Sequence, residues 1–283
     1  MIPFFSKRLD ISGYNASISP SATGYFGFVR NIERTGTQCK NKIAYFTLSN
    51  SFETTSFLFL EDKTGRTIHT GWSSGLEDPR LISETELFAV TNDTNTLWMS
   101  DFSKIKVSGA NILEVKPYFV KDISRQGEKN WLLLNTFGND YHFLHSLNPL
   151  RIVRIDKRLC EGNVLMESCI HDLSGIIHNG ACVNLGSSGF LVSARFKNKH
   201  SYNHSRWILL DPSYKFQCVS PPFRFEPKEF VNEDGTFKDG EYEMNMSLHL
   251  EGDDLVCCTS HGDRYTTVKK YKLSDVLRFI GCG

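Results

Sequence analysis

YFGFVRN (25–31), KIAYFTLS (42–49) and SFLFLED (56–62) follow one another at short intervals, each rich in aromatic and β-branched residues and each bounded by Gly, Asn, Asp or Ser. Such side chains suit a pleated, half-buried strand, and the turn formers stop each run before helix length. The signature recurs at ELFAVTND (86–93), WLLLNTF (131–137), YHFLHSL (141–147), FLVSARF (190–196), RWILLD (206–211) and DLVCCTS (254–260). Helical signals are few. The clearest is SDVLRFI (274–280), with Ser274 as the expected N-cap and Gly281 as the stop. Many strands with so little helix leave a sandwich, a barrel or a propeller. A fifth of the 283 residues is about 57, roughly one four-stranded blade with its connections, so the length permits five blades. No linker divides the chain, and residues 1–283 read as one all-β domain. EPKEFVNEDGTFKDGEYE (226–243) reads as a long surface loop or hairpin around its two Asp-Gly turns.

The composition bounds the function. Lys+Arg and Asp+Glu both number 32, so the basic excess of a general nucleic-acid binder is missing, and no nucleic-acid partner is expected. No apolar run of about 18 residues is present, and MIPFFSKRLD at the N-terminus has neither a basic region nor a long apolar one. Neither a membrane span nor a cleaved secretion signal is expected. The eight cysteines have no C-x-x-C pairs or regular spacing, which reads as eight free thiols in a reducing, cytoplasmic setting. Sequon matches fall at Asn15, Asn92, Asn203 and Asn245, and such matches arise often by chance.

Six constellations carry polar chemistry at strand ends, where function concentrates on rigid scaffolds. In Gly75-Leu-Glu77-Asp78-Pro79-Arg80, proline biases the residue before it toward an extended conformation, so Asp78 is expected at a rigid turn entering a strand. Glu77 and Arg80 would set its charge; the bland alternative is an ordinary Asp-Pro turn with a surface ion pair. Glu128-Lys129-Asn130-Trp131 pairs a cationic donor with an aromatic ring, suited to a sugar or phosphoryl group, or else is a solvated strand end with one core Trp. Asn15-Ala-Ser17 precedes the strand that ends in Arg30, while His178-Asn-Gly, Arg195 with Tyr202-Asn-His204, and Glu243-Met-Asn245 with His261-Gly-Asp263 flank later strands. His142 and His145, three apart in a strand, point to opposite faces and do not share a metal; no metal site or cofactor is expected. No G-x-S-x-G, P-loop, H-E-x-x-H or dinucleotide fingerprint is present.

Taken in order from about Asn15 to Asp263, these motifs resemble the five-bladed β-propeller enzymes of glycoside hydrolase family 130, the β-mannoside phosphorylases and mannosidases. They also resemble the mannosyltransferase/phosphorylases of glycosyltransferase family 108. Gly-x-Glu-Asp-Pro-Arg at 75–80, followed by FAVTND, is the most specific match, and Glu-Lys-Asn-Trp at 128–131, Ser-Leu-Asn-Pro at 146–149, Tyr-x-His at 202–204, Ser-Leu at 247–248 and His-Gly-Asp at 261–263 come in the expected sequence. The resemblance implies a single five-bladed propeller, to which the residues add a short C-terminal helix, and an inverting glycosyl transfer at the mouth of its channel. Asp78 matches the general acid of bond cleavage, or the base of the synthetic direction. Arg30, Arg80, Lys129 and Arg195 would neutralise a phosphate. Asn15, Ser17, Glu77, Asn130, His178, His204 and Asp263 would hold sugar hydroxyls, with Trp131 or Tyr202 stacked on a ring.

The chain also departs from the pattern. LLLN follows Lys-Asn-Trp where many phosphorylases have Pro-Phe, HNGACVN stands where they often have Arg-Gly-Gly/Ser-Thr, and Arg195 stands where a histidine is expected. These departures and the short chain lead to one expectation: an inverting glycosyltransferase that takes a sugar from a nucleotide sugar or other sugar phosphate to a glycan acceptor, with Asp78 as base. The alternatives are a β-mannoside phosphorylase or hydrolase with Asp78 as acid, and a non-catalytic glycan-binding propeller.

Overall fold

Alternating apolar and polar side chains put one face of each strand into the interior, and the short Gly, Asn and Asp turns bring successive strands back antiparallel. The computed structural model describes residues 2–36, 38–62, 69–70, 73–83, 86–90, 97–101, 112–113, 116–121, 123, 130–171, 173, 176–197, 202–225 and 243–281. Residues 35, 38, 61–62, 69–70, 73–74, 97–101, 112–113, 176, 197 and 202–203 are described by backbone alone.

The strands form five antiparallel runs in chain order. The first holds Tyr14–Ser21, Gly24–Thr35, Gln38–Leu48 and Thr54–Phe59; the second Glu77–Leu81, Glu86–Val90, Leu97–Asp101 and Lys116–Val120. The third holds Leu132–Phe137, Asp140–Leu147, Leu150–Asp156 and Glu161–Ser168; the fourth Ile176–Asn184, Phe190–Lys197, Tyr202–Leu210 and Phe216–Val219. The fifth combines Glu243–Glu251, Asp254–His261 and Tyr265–Lys272 with the N-terminal strand Phe5–Arg8, in register Phe5 to Lys270 and Arg8 to Thr267. The first strand of the chain thus closes the last sheet.

Blade number depends on what is counted. By continuity of hydrogen bonding, the described residues form four sheets of four or more strands, because a parallel pairing of Phe119 with Glu161 and Val120 with Gly162 fuses the second and third runs into eight strands. By apolar cores there are five, one between each pair of neighbouring runs. Phe26, Phe28 and Ile43 meet Leu87 and Ala89; Phe88 and Val90 meet Phe143 and Val153; Leu144 and Ile152 meet Val192 and Ile208. Leu191 and Trp207 then meet Leu255 and Tyr271, and Val256 and Val268 meet Ala16 and Val29, which returns to the first run. A cycle of five sheet-on-sheet interfaces is a propeller of five blades, and each blade is stabilised by neighbours on both faces.

Two expectations are corrected, and a third is not reached. The C-terminal helix is Leu273–Ile280, with Lys272 at the N-cap and no side-chain cap, so Ser274 lies inside it; Val276 and Ile280 are buried on the fifth blade and Gly281 ends it at φ 84°. Cys218 is disulfide-bonded, so the cysteines are not eight free thiols, although Cys160, Cys169, Cys182, Cys257 and Cys258 are. The hairpin expected at 226–243 lies outside the described residues except for Glu243, which opens a strand. No helix among the described residues is long and apolar enough to cross a membrane.

Candidate active site

The innermost strand of each blade begins at the same end of the ring, as cross-blade hydrogen bonds show level by level. Asn15 Nδ2 donates to Asp78 Oδ1 at 2.7 Å and Asn179 Nδ2 to Asn130 O at 2.8 Å. Further along, Ser17 Oγ donates to Pro79 O at 2.9 Å, Ile18 N to Ser247 Oγ at 3.0 Å and Cys182 Sγ to Leu133 O at 2.8 Å. Each innermost strand also carries a break in register against its neighbour: between Tyr14 and Ser17, between Glu77 and Arg80, between Leu133 and Asn135, between Asn179 and Cys182, and between Asn245 and Ser247. Bulges bend a strand and re-aim its side chains, and here they fall where polar residues enter the channel. The strands approach closely. A Cβ at Gly180 would sit 2.6 Å from Ser193 Oγ and 2.9 Å from Ser193 O.

Asp78 sits at such a bulge with φ 51°, left-handed rather than extended as Pro79 led us to expect. Asn15 and Asp263 share the conformation, at φ 55° and 53°. Asn and Asp tolerate this region better than most residues, yet each instance costs on the order of 1 kcal/mol or more and persists because neighbours over-determine it. For Asp78 those neighbours are visible. Arg30 Nη1 donates to its Oδ1 at 3.2 Å alongside Asn15, Arg30 Nη2 pairs with Glu77 Oε1 at 3.0 Å, and Arg30 Nε donates to Asn41 Oδ1 at 2.9 Å. Asn41 Nδ2 closes the loop on Glu77 Oε1 at 3.1 Å.

This knot lies inside the protein, with Glu77, Asn15, Asp78, Asn41 and Arg30 all buried. Burial opposes the Arg30 charge, but Asp78 and Glu77, with Tyr14 and Asp263 adding to them, hold the guanidinium above its ordinary range. Arg30 is therefore a fixed cation locked against two carboxylates. The Tyr14 ring lies 5.4 Å from the Arg30 guanidinium carbon. Its hydroxyl is buried without a partner, and its pKa is raised by burial, lowered by Arg30, and raised by Asp263, Asp78 and Glu77.

The other candidates divide. Asp263 lies in the turn after His261, within electrostatic reach of Arg30 and Tyr14. Ser17 is buried below Pro79. Asn130 Nδ2 is 3.4 Å from His178 Nδ1, and His178 is paired in register with Arg195 on the fourth blade. His204 stacks on Phe196 at 5.5 Å, and burial, with Arg206 and Arg224 adding to it, lowers its pKa. Tyr202 is described by backbone alone, and Lys129 lies outside the described residues. Trp131 is not a sugar platform: it is 1% exposed, in the core between the second and third blades, with its ring 4.7 Å from His145 and 6.1 Å from Phe143. Arg80 turns away from the Arg30 knot. Its Nη1 donates to the carbonyls of Gly180 and Met246, and burial lowers its pKa to about 10 despite attraction from Asp78. The sequence reading missed Tyr14, Asn41 and Asn179. Asn41 is two positions from the residue opposite Arg30 across the hairpin, a proximity that only the register reveals. Among the described residues no group of His, Cys, Asp and Glu is arranged to hold a metal.

No family model and no curated protein matches the chain. Solved structures do. The β-1,2-mannobiose phosphorylase from Listeria innocua superposes with TM-score 0.64 at 14% identity, covering 100% of this chain and 96% of that one. A structure from work on the glycoside hydrolase family 130 mannoside phosphorylases, a family that contains hydrolases targeting β-1,2 mannosidic linkages in Candida mannan, gives 0.64 at 12%, covering 94% and 86%. The fold is that of these propellers. A GDP-Man-dependent mannosyltransferase from Leishmania mexicana is more distant, at TM-score 0.50 and 14% identity over 96% and 90% of the two chains. Identities this low establish the shared fold and leave the chemistry to the site.

Proposed function

We propose that this propeller is an inverting enzyme of β-mannosides, a phosphorylase or hydrolase, with Asp78 as its general acid. The observation that carries the reading is the Asp78 carboxylate itself, buried at the channel end in a left-handed bulge and fixed through Oδ1 by Asn15 and Arg30. The resemblance of Gly-x-Glu-Asp-Pro-Arg to the family 130 motif supports it, as does likeness to a β-1,2-mannobiose phosphorylase and a family 130 structure. In cleavage, the bond from the sugar C1 to the glycosidic oxygen breaks, phosphate or water attacks C1 from the opposite face, and a proton that the Asp78 carboxylate must first take up, against the pull of Arg30, goes to the leaving oxygen. A β-linked substrate then yields an α-configured product. Arg30 acts here through Asp78 and Glu77, holding the acid rather than meeting a phosphate. Tyr14, Asn130, His178 and Asp263 would meet sugar hydroxyls.

Transfer from a nucleotide sugar is the second reading, favoured by the likeness to the Leishmania mannosyltransferase and by the departures from the phosphorylase pattern. The Cys218 disulfide weighs against a cytoplasmic setting, and the remaining thiols fit one. The purified chain incubated with β-1,2-mannobiose, with and without phosphate, and separately with GDP-mannose and a mannan acceptor, tests the two. The account expects α-mannose 1-phosphate or free mannose from the disaccharide. Release of GDP with acceptor elongation and an untouched disaccharide would transfer the assignment to the second reading.

A further inference from the structure

Arg30 divides one guanidinium between two neighbouring carboxylates. Its Nη2 pairs with Glu77 Oε1 at 3.0 Å and its Nη1 with Asp78 Oδ1 at 3.2 Å. Asn41 clips the Glu77 side together: its Oδ1 accepts from Arg30 Nε at 2.9 Å, and its Nδ2 donates to the same Glu77 oxygen at 3.1 Å. Glu77 is 1% exposed against 6% for Asp78. A carboxylate so enclosed, on the residue next to the candidate acid, acts through its neighbours and not on a substrate.

The sharing bears on acid catalysis. A cation beside a carboxylate favours its ionised form, and a second carboxylate nearby favours the protonated one. Arg30 therefore pulls Asp78 toward the ionised form, while Glu77 opposes that pull twice: it draws the guanidinium to its own oxygen, and its charge repels that of Asp78. Among the described residues the other charged or titratable groups within electrostatic reach of this set are Asp263, Tyr14 and Arg80. Asp263 acts on Arg30 in the same sense as Glu77. Arg80 is attracted by Asp78 but donates to the carbonyls of Gly180 and Met246. Burial raises the Tyr14 pKa, so its hydroxyl stays uncharged. These groups are the same with or without the Glu77 charge, so removing that charge moves Asp78 in one direction.

We propose that Glu77 is a positioning residue for Asp78: by holding one arm of the Arg30 guanidinium it raises the affinity of Asp78 for a proton, and so sets the pH at which the enzyme works. Glu77 itself transfers no proton; the one that Asp78 takes from solvent goes to the leaving oxygen. The consequence for catalysis rests on the reading of Asp78 as the general acid, whereas the effect on the Asp78 proton rests on the network alone.

Two measurements on the full chain keep these apart. The first is an NMR titration of the Asp78 carboxyl in protein made with aspartate labelled by carbon-13 at Cγ, the signal being assigned by its loss in Asp78→Asn. The expected midpoint in Glu77→Gln is lower than in the parent by about one pH unit or more, the size of shift that a neighbouring charge produces. Glu77→Asp, which keeps the charge, stays nearer the parent. The second is the pH profile of kcat/KM for β-1,2-mannobiose cleavage, whose basic limb reports the acid of the free enzyme. In Glu77→Gln that limb moves to lower pH by the same amount, so activity on the limb falls about tenfold and returns as the pH is lowered. Should Glu77→Gln fail to fold, Asn41→Ala, which loosens the Glu77 side of the network, is expected to lower the Asp78 midpoint in the same direction. A midpoint that stays or rises overturns the proposal, as does a loss of activity equal at every pH, the mark of a merely structural residue. A lowered midpoint in a chain that cleaves no mannoside supports the role of Glu77 and overturns the general-acid reading instead.

Discussion

Asp78 is held in a backbone conformation that Pro79, its successor, does not favour, and the Arg30 knot is what holds it there. Arg30 joins Glu77, Asp78 and Asn41 in one buried network. Removing one partner from a buried ionic network costs far more than its net contribution, because the remaining charges stay desolvated. Arg30→Met is expected to lower unfolding free energy by about 3–5 kcal/mol in denaturant titration, whereas a loss within 1 kcal/mol would mean the carboxylates have other partners. His145 makes a second residue-scale case. Packed on Trp131 and buried, it has its pKa lowered to about 4 by that burial, with Arg151 adding to the effect. The unfolded chain, with a value of about 6.5, takes up the proton first, so stability is complete above about pH 6.5 and is lost as pH falls toward 4. Thermal melts of His145→Phe should show a flatter dependence across that window than the parent; an unchanged slope would place the titration elsewhere. Asp78 and Glu77 could be read from the sequence because the motif is local. The sign of the Asp78 φ could not, since it depends on Asn15 and Arg30, 63 and 48 residues away.

The strands were readable because their composition and their stops are local properties, and DLVCCTS and YHFLHSL fall within strands as expected. The helix boundary shows the limit of that reading. Ser274 resembles a cap, yet the cap position is Lys272, two residues earlier, and Leu273 N donates to Asp253 O in the turn between the strands Glu243–Glu251 and Asp254–His261. Trp131 next to Lys129 looked like a ligand platform, and only packing against Phe143 and His145 shows it to be core. Glu251 ends its hairpin strand between blades, accepting from Lys270 Nζ at 2.6 Å and from Tyr25 of the first blade. Its carboxyl is lowered to about 2, with the His249 contact as the largest cause, then Lys270 and Tyr25 acting against a burial penalty. A depressed carboxylate contributes stability above its unfolded value of about 4.3, and that contribution is lost as pH falls toward 2. Glu251→Gln should therefore melt lower than the parent at pH 6 and converge with it near pH 2 to 3; a constant offset across that range would contradict the assignment.

At the scale of the molecule, neutrality proved a poor guide to the interior. The 32 positive and 32 negative side chains balance, yet the channel holds Arg30 tied to two carboxylates at one level and Arg80 bound only to carbonyls at the next. Five blades were compatible with the length, and the ring of five cores makes that number physical, because each sheet must cover the face of the next. The same ring places Asn15, from the start of the chain, against Asp78 and brings Asp263, near its end, within reach of Arg30. The central claim is that this ring closes around one acid and turns over β-mannosides with inversion. Proton NMR of β-1,2-mannobiose cleavage, for the parent and Asp78→Asn in parallel, tests it most directly. The account predicts an α-configured first product from the parent and a rate at least about 100-fold lower for the variant, with its cooperative unfolding retained. A β-configured first product, or an Asp78→Asn variant that turns over at the parent rate, would contradict it.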